Sequence, residues 1–182
     1  MASFQGTRSM SLPSSATEAL QPLVGLRLSI ARCAADMRVF HFGEIRPHRN
    51  GRGAVGEYAL HVQCPWRLVG ADGLITGSDD LYQPPSSDAE INQDDPQSGC
   101  LQDVRLAALL GGYDTITSSH INATDKLVVV AVRADQYGSA EIIFSGDVSL
   151  QLFPASSTGE NWRFFGDETD HFVIEGGGVA LD

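Results

Sequence analysis

Lysine is almost missing from this chain. Lys126 stands alone beside eleven arginines, and 23 acidic residues outweigh all the bases to give a net charge of −11 at pH 7. A surface of that sign repels a phosphate backbone, so no nucleic-acid partner is expected. The arginine skew reads first as codon usage in a GC-rich genome and second as a supply of bidentate anion contacts. Cysteine is scarce too. Cys33, Cys64 and Cys100 are odd in number and far apart. They form neither a disulfide framework nor a zinc pattern, and each reads as a small buried hydrophobe or inert thiol. No stretch approaches the ~20 apolar residues of a membrane helix. The opening residues carry neither the basic region nor the apolar run of a secretion signal. A cytoplasmic protein with no membrane partner is the expectation.

Metal and catalytic signatures are missing as well. The five histidines, at positions 41, 48, 61, 120 and 171, include no pair two to four residues apart, the spacing that makes local ligand pairs. The acids between 79 and 95 lack the alternation of a calcium loop. His61 and Cys64 are three apart, so a regular strand points them to opposite faces and separates a base from a nucleophile. No catalytic residue, metal site or cofactor is therefore assigned.

What is there is a β pattern. A chain of 182 residues with 42% hydrophobic content suits one domain folded by ordinary core burial. Residues 1–14 are polar and aperiodic, so a disordered tail is expected, followed by one domain over 15–176 and a frayed end over 177–182. Ser15 and Glu18 have capping-box spacing for a short helix that Pro22 ends. Strands are expected near 26–30, 37–45, 57–69, 74–82, 115–121, 126–133, 140–145, 148–153, 162–165 and 171–175. In the longest, Tyr58, Leu60, Val62, Cys64, Trp66 and Leu68 share one face, with an edge or bulge at Pro65. Residues 127–130 are apolar on both faces and predict a central strand. Gly146-Asp147 has glycine first, as a type II′ hairpin requires. The one good helix is 101–110, with Ser98 as cap, Asp103 in its first turn and Gly111-Gly112 as stop. The fold class is thus α+β, mostly β: an antiparallel meander sheet or sandwich with one packed helix near 101–110.

Two sets of polar residues are candidates for function. On the open face of the 57–69 strand, Glu57, His61, Gln63 and Arg67 project together, a set able to recognise an anion or, through histidine, to act as a base. The bland alternative is the wet face of a half-buried strand. The second set is a charge pattern. Arg46, His48, Arg49 and Arg52 fall in one turn, while residues 79–103 carry seven acids and no base, among them Asp88, Glu90, Asp94 and Asp95. Charge runs of this kind are usually solvated loops. They also suit an interaction surface that steers a basic partner, or two loops that face each other within a molecule or across a dimer.

The run GEYALHVQCPWR over residues 56–67 is one of three separated motifs, followed by Asp80-Leu81-Tyr82 and then by Leu152-Phe153-Pro154 with GENWRFF over 159–165 and His171-Phe172-Val173. Together they resemble a signature of a family of small uncharacterised bacterial proteins, across roughly residues 23–175. The resemblance brings no activity, so it implies no residue role. Some small acidic bacterial proteins of similar character act as immunity partners to toxins, a likeness of character alone. The leading expectation is a non-enzymatic protein-interaction module of the immunity type, with a basic protein as partner. The alternative is a small-molecule anion-binding protein or enzyme that uses the polar face of 57–69. A homodimer with a structural role is the third.

Overall fold

A computed structural model describes residues 15–49, 51, 53–90, 99–166, 171–176 and, for the backbone alone, 178–181. The expected tail over 1–14 lies outside the described residues, as do Asn50, Arg52 and residues 91–98, with Asp94, Asp95 and Ser98 among them.

Helix α1 (Ala16–Leu20) opens at Ser15, whose Oγ accepts from the Glu18 backbone N–H at 3.2 Å, and a 3₁₀ turn containing Pro22 ends it. The strands follow: β1 (Leu28–Ala34), β2 (Met37–Phe42), β3 (Arg46–Pro47), β4 (Ala54–Val55), β5 (Tyr58–Val62), β6 (Trp66–Gly70) and β7 (Gly73–Gly77). Helix α2 (Leu101–Leu110) precedes β8 (Gly111–Asp114), β9 (Ser119–Asn122), β10 (Val129–Ala134), β11 (Ala140–Phe144), β12 (Val148–Leu152), β13 (Glu160–Gly166), β14 (Phe172–Glu175) and β15 (Gly178–Leu181). They form an antiparallel sandwich. One sheet runs β15-β14-β13-β5-β2-β1-β9-β8, the other β10-β11-β12-β6-β7, and β3-β4 is a separate hairpin. The expected class, mostly β with a helix at 101–110, is the class observed.

Facing strands bury the core. Phe40 and Phe42 from β2 meet Trp66 edge-on at 5.3 Å between ring centroids and Phe144 stacked at 6.5 Å. Leu60, Val62, Trp162, Phe164, Leu150 and Ile142 fill the layer around them, the alternation of each strand sending every second side chain inward. Helix α2 sets Leu106 and Leu110 into this core and lies against β7, β8 and β9. Gly111 stops it in the left-handed conformation at φ 79°, as the sequence predicted. Its N-cap residue is Cys100, which makes no side-chain cap bond; Asp103 instead accepts from the Gly99 N–H at 3.2 Å.

Several expectations change. The 57–69 segment is two strands in two sheets. Its alternation persists because both halves face the same core, but the chain crosses between layers at Gln63–Pro65, where Asn161 O accepts from the N–H groups of Gln63 and Cys64. The apolar 126–133 segment lies at an edge of its sheet, with Val130 54% exposed. Its extra hydrophobes pair at the corner where Val129 N–H donates to Leu26 O and Leu28 N–H to Leu127 O. Thr17 of α1 then covers the far end by exchanging bonds with Ala134. At the β11–β12 hairpin both Gly146 (φ 80°) and Asp147 (φ 58°) are left-handed, whereas a type II′ turn requires that of the first residue only. Where a frayed end was expected, β15 pairs with β14 from Phe172↔Leu181 to Glu175↔Gly178.

Candidate functional site

The outward face of the eight-stranded sheet is polar in a patterned way. One row of Cα partners reads Arg32 (β1), Val39 (β2), His61 (β5) and Arg163 (β13), and the next reads Ile30, His41, Ala59 and Phe165. Both rows follow from strand alternation. In β2, Phe40 and Phe42 turn to the core, so Val39 and His41 must turn away from it. Over these rows folds the β3–β4 hairpin. Its turn is closed by His48 N–H donating to Gly53 O at 3.0 Å, and Gly53 leaves no room for a side chain against Thr117.

Between hairpin and sheet lies a cleft of about 370 Å³, within the ~300–1,000 Å³ range of small-ligand sites. Its hollow has a simple cause. Ala59, between His41 and Phe165 in register, is the small residue in a row of large ones. Gly56 brings the chain so close to β2 that a Cβ there would run into the Phe42 backbone. Glu57 turns back to accept from the Glu44 N–H at 2.9 Å and fixes the bend at Gly43 (φ 83°).

The lining is cationic and rich in imidazole. Arg46 and Arg49 stand exposed at the mouth, Arg32 is half-buried, and four of the five histidines, His41, His48, His61 and His171, line the cleft. Glu57 is the acid among the described lining residues. His41 is 2% exposed, and neither of its ring nitrogens has a hydrogen-bond partner. Burial, reinforced by the charges of Arg32, His61 and His48, pushes its pKa down to about 3. His61 is lowered to about 4, by burial first and then by Arg163 and Arg32. Both rings are therefore neutral near pH 7, each offering one N–H and one lone pair. The arginines supply the positive charge. On one side Phe165 and His171 stack with centroids 4.3 Å apart, and His61 meets Phe165 edge-on at 4.9 Å. Glu160 binds Arg163 through both carboxylate oxygens, and that bond holds its carboxyl below the usual range.

The structure unites part of each predicted set. Glu57 and His61 from the strand face and Arg46 and Arg49 from the basic turn line one cleft. Gln63 lies beyond the end of β5, close enough to Glu160 to help hold that carboxyl below its usual range. Arg67 belongs to the other sheet. It sits over the Phe153 ring at 5.0 Å, and its Nε donates to Gln151 Oε1 at 2.7 Å. The expected grouping of Arg67 with His61 is therefore corrected, the layer crossing being the reason. Asp88 and Glu90 are exposed in the loop before α2 and do not line the cleft. Arg52, Asp94 and Asp95 lie outside the described residues.

Sequence reasoning did not find Arg32, His41, Phe165 or His171 as site residues. Alternation about Phe40 and Phe42 marks His41 as outward-facing, but which strands flank β2 is not a local property. Cys64 faces the core, and burial raises its thiol to about 11. Among the described residues no three His, Cys, Asp or Glu side chains are grouped to hold a metal ion, and no helix is long and apolar enough to cross a membrane.

A second polar cluster lies where α2 meets the inner face of the large sheet. His120 on β9 and Asp103 on α2 are 3.0 Å apart. Arg38 is 2% exposed nearby, with Nε and Nη2 unpartnered and with Cys33, Asp103 and Cys100 close enough for their charges to act on it. Burial lowers the Arg38 pKa and raises those of Cys33 and Cys100. Compared with known proteins, the chain matches no family model, no curated protein and no solved structure.

Proposed function

We propose that this protein binds a small anion in the cleft between the β3–β4 hairpin and the large sheet. The observation that carries the reading is that Arg32, Arg46 and Arg49 line one cleft. In a chain of net charge −11, a cleft whose described lining holds three arginines and one carboxylate concentrates positive potential. Guanidinium groups match the planar geometry of phosphate and carboxylate oxygens. Binding is the reading, and among the described lining residues there is no serine, threonine, cysteine or lysine to act as nucleophile. The three free cysteines suit the cytoplasmic setting expected from the sequence.

Calorimetric titration with sulfate and with inorganic phosphate tests this. The double variant Arg46→Ala/Arg49→Ala is expected to bind at least tenfold more weakly, since a hydrogen bond to a charged group contributes about 1.5–3 kcal/mol. Equal affinity in wild type and variant, or none in either, would refute the reading. An interaction module of the immunity type is the second reading, and its support is the exposed acidic pair Asp88 and Glu90 within the acidic loop. Neutralising Asp88 and Glu90 then slows association with a basic partner, most at low salt. An unchanged rate would remove it.

A further inference from the structure

We infer that the anion held in the cleft carries a compact aromatic body, as an aryl carboxylate or aryl phosphate does, with its ring inside and its charge at the mouth. The inference rests on the anion-binding reading and adds the uncharged half of the ligand. Its starting point is that a cationic cleft has an apolar floor. In the row His41, Ala59, Phe165 the middle residue presents a methyl group and the last a half-buried ring. His41 belongs to the same row, yet both its ring nitrogens are buried, so neither opens onto the cleft as a hydrogen-bonding group. From the hairpin, Pro47 and Val55 add apolar surface to the lining.

The charges lie apart from that floor. Arg46 and Arg49 are exposed at the mouth, Arg32 stands in the neighbouring row, and Glu57 is turned back onto the Glu44 N–H. A bare oxyanion held by the mouth arginines leaves the hollow over Ala59 to water. Water against a methyl group and an aromatic ring makes few hydrogen bonds, so its displacement by an apolar group is favourable. The hollow is short, because Ala59 has a large residue on either side in register. That shape suits a ring better than a chain. The border is itself aromatic: Phe165 stacks on His171 at 4.3 Å and meets His61 edge-on at 4.9 Å. A ligand ring extends these stacked and edge-on contacts. A volume of about 370 Å³ admits a ring with its charged group.

The test adds a ring to a fixed charge, by calorimetry on the full chain near pH 7, in two pairs: acetate against benzoate, and inorganic phosphate against phenyl phosphate. In at least one pair the ring is expected to tighten binding about tenfold or more, and the pair that gains names the charged group. Withdrawing about 55 Å² of apolar surface from water suffices for that factor. Cyclohexanecarboxylate is expected to bind at least twofold more weakly than benzoate. In Phe165→Leu that preference is expected to vanish while phosphate affinity stays within twofold. No gain from the ring in either pair would overturn this inference and leave the anion site standing. Cyclohexanecarboxylate binding as tightly as benzoate would overturn the aromatic assignment. Benzyl alcohol binding as tightly as benzoate, or no binding by any of the four anions, would overturn the anion site itself. The wild-type ratios decide the matter without the variant, should Phe165→Leu not fold.

Discussion

His41 and Phe165 project from strands two apart in the large sheet, with only the methyl group of Ala59 between them in register. The hollow that forms the cleft is the space a larger side chain at Ala59 would occupy. Ala59 is 5% exposed, so its methyl group lies at the bottom of that space rather than on its rim.

Filling the hollow is the first prediction. Ala59→Leu is expected to weaken sulfate binding more than tenfold while keeping the fold, because the added carbons enter the cleft and not the packed core. Overpacking of a filled site costs about 1–3 kcal/mol, so the stability change should lie at or below that range. Titration and thermal denaturation of the same sample separate the two effects. Undiminished binding would put the ligand elsewhere on the molecule.

Acid should destabilise the fold through the same residues. An unfolded histidine takes up its proton near pH 6.5, whereas folded His41 and His61 resist protonation until about 3 and about 4. Their folded pKa values are depressed, so the unfolded chain binds more protons between these limits. The contribution to stability is complete above about pH 6.5 and is lost as the pH falls through that window. Each ring adds up to about 1.4 kcal/mol per pH unit, with His61, the more exposed, adding less. Urea denaturation at about pH 7, 5.5 and 4.5 is expected to show His41→Phe losing stability less steeply than wild type. Parallel slopes would mean that His41 is protonated as easily in the folded chain as in the unfolded one.

Asp103 carries a third prediction. Its carboxylate accepts from Gly99 N–H at one oxygen and lies 3.0 Å from His120 Nε2 at the other, and its charge acts on the buried Arg38. Asp103→Ala leaves the His120 nitrogen and the Arg38 charge with less compensation and is expected to cost about 1–3 kcal/mol. Asp103→Asn keeps the shape but removes the charge. Chemical denaturation of both variants tells the two contributions apart: an Asn variant as unstable as the Ala variant assigns the effect to Arg38, and a wild-type-like Asn variant assigns it to the hydrogen bonds.

How much of this was legible depends on whether a feature is local. Helix α2 was readable because its stop, Gly111, and its acidic first-turn residue, Asp103, lie within the segment itself. The β11–β12 pair was readable because alternation and a short turn occur together there. The cleft was not, because it depends on strand order. His41 and His61 are 20 residues apart in the chain, and what joins them is the pairing of β2 with β5. The basic turn and the strand face were each visible in the sequence, but that one folds over the other is a tertiary fact. Alternation even misled at residues 57–69, since inward-facing residues keep their period when a chain passes from one layer of a sandwich to the other.

That layer crossing yields the last prediction, on Arg67. Six residues after His61, it emerges on the opposite side of the sandwich, in a surface ladder where Arg67 Nε donates to Gln151 Oε1 and Gln151 Nε2 donates to Glu141 Oε1 at 3.0 Å. Arg133 extends the ladder, with Nη1 3.9 Å from Glu141 Oε2. These groups are mostly solvated, and the contact of Arg67 with the Phe153 ring is of the exposed kind, contributing about 0.5–1 kcal/mol. Arg67→Ala is therefore expected to lower stability by no more than about 1 kcal/mol and to leave sulfate affinity unchanged. Arg46→Ala, at the mouth of the cleft, should do the reverse. A loss of sulfate binding in Arg67→Ala equal to that in Arg46→Ala would require the anion to sit on the five-stranded sheet, and the cleft would then have to be abandoned as its site.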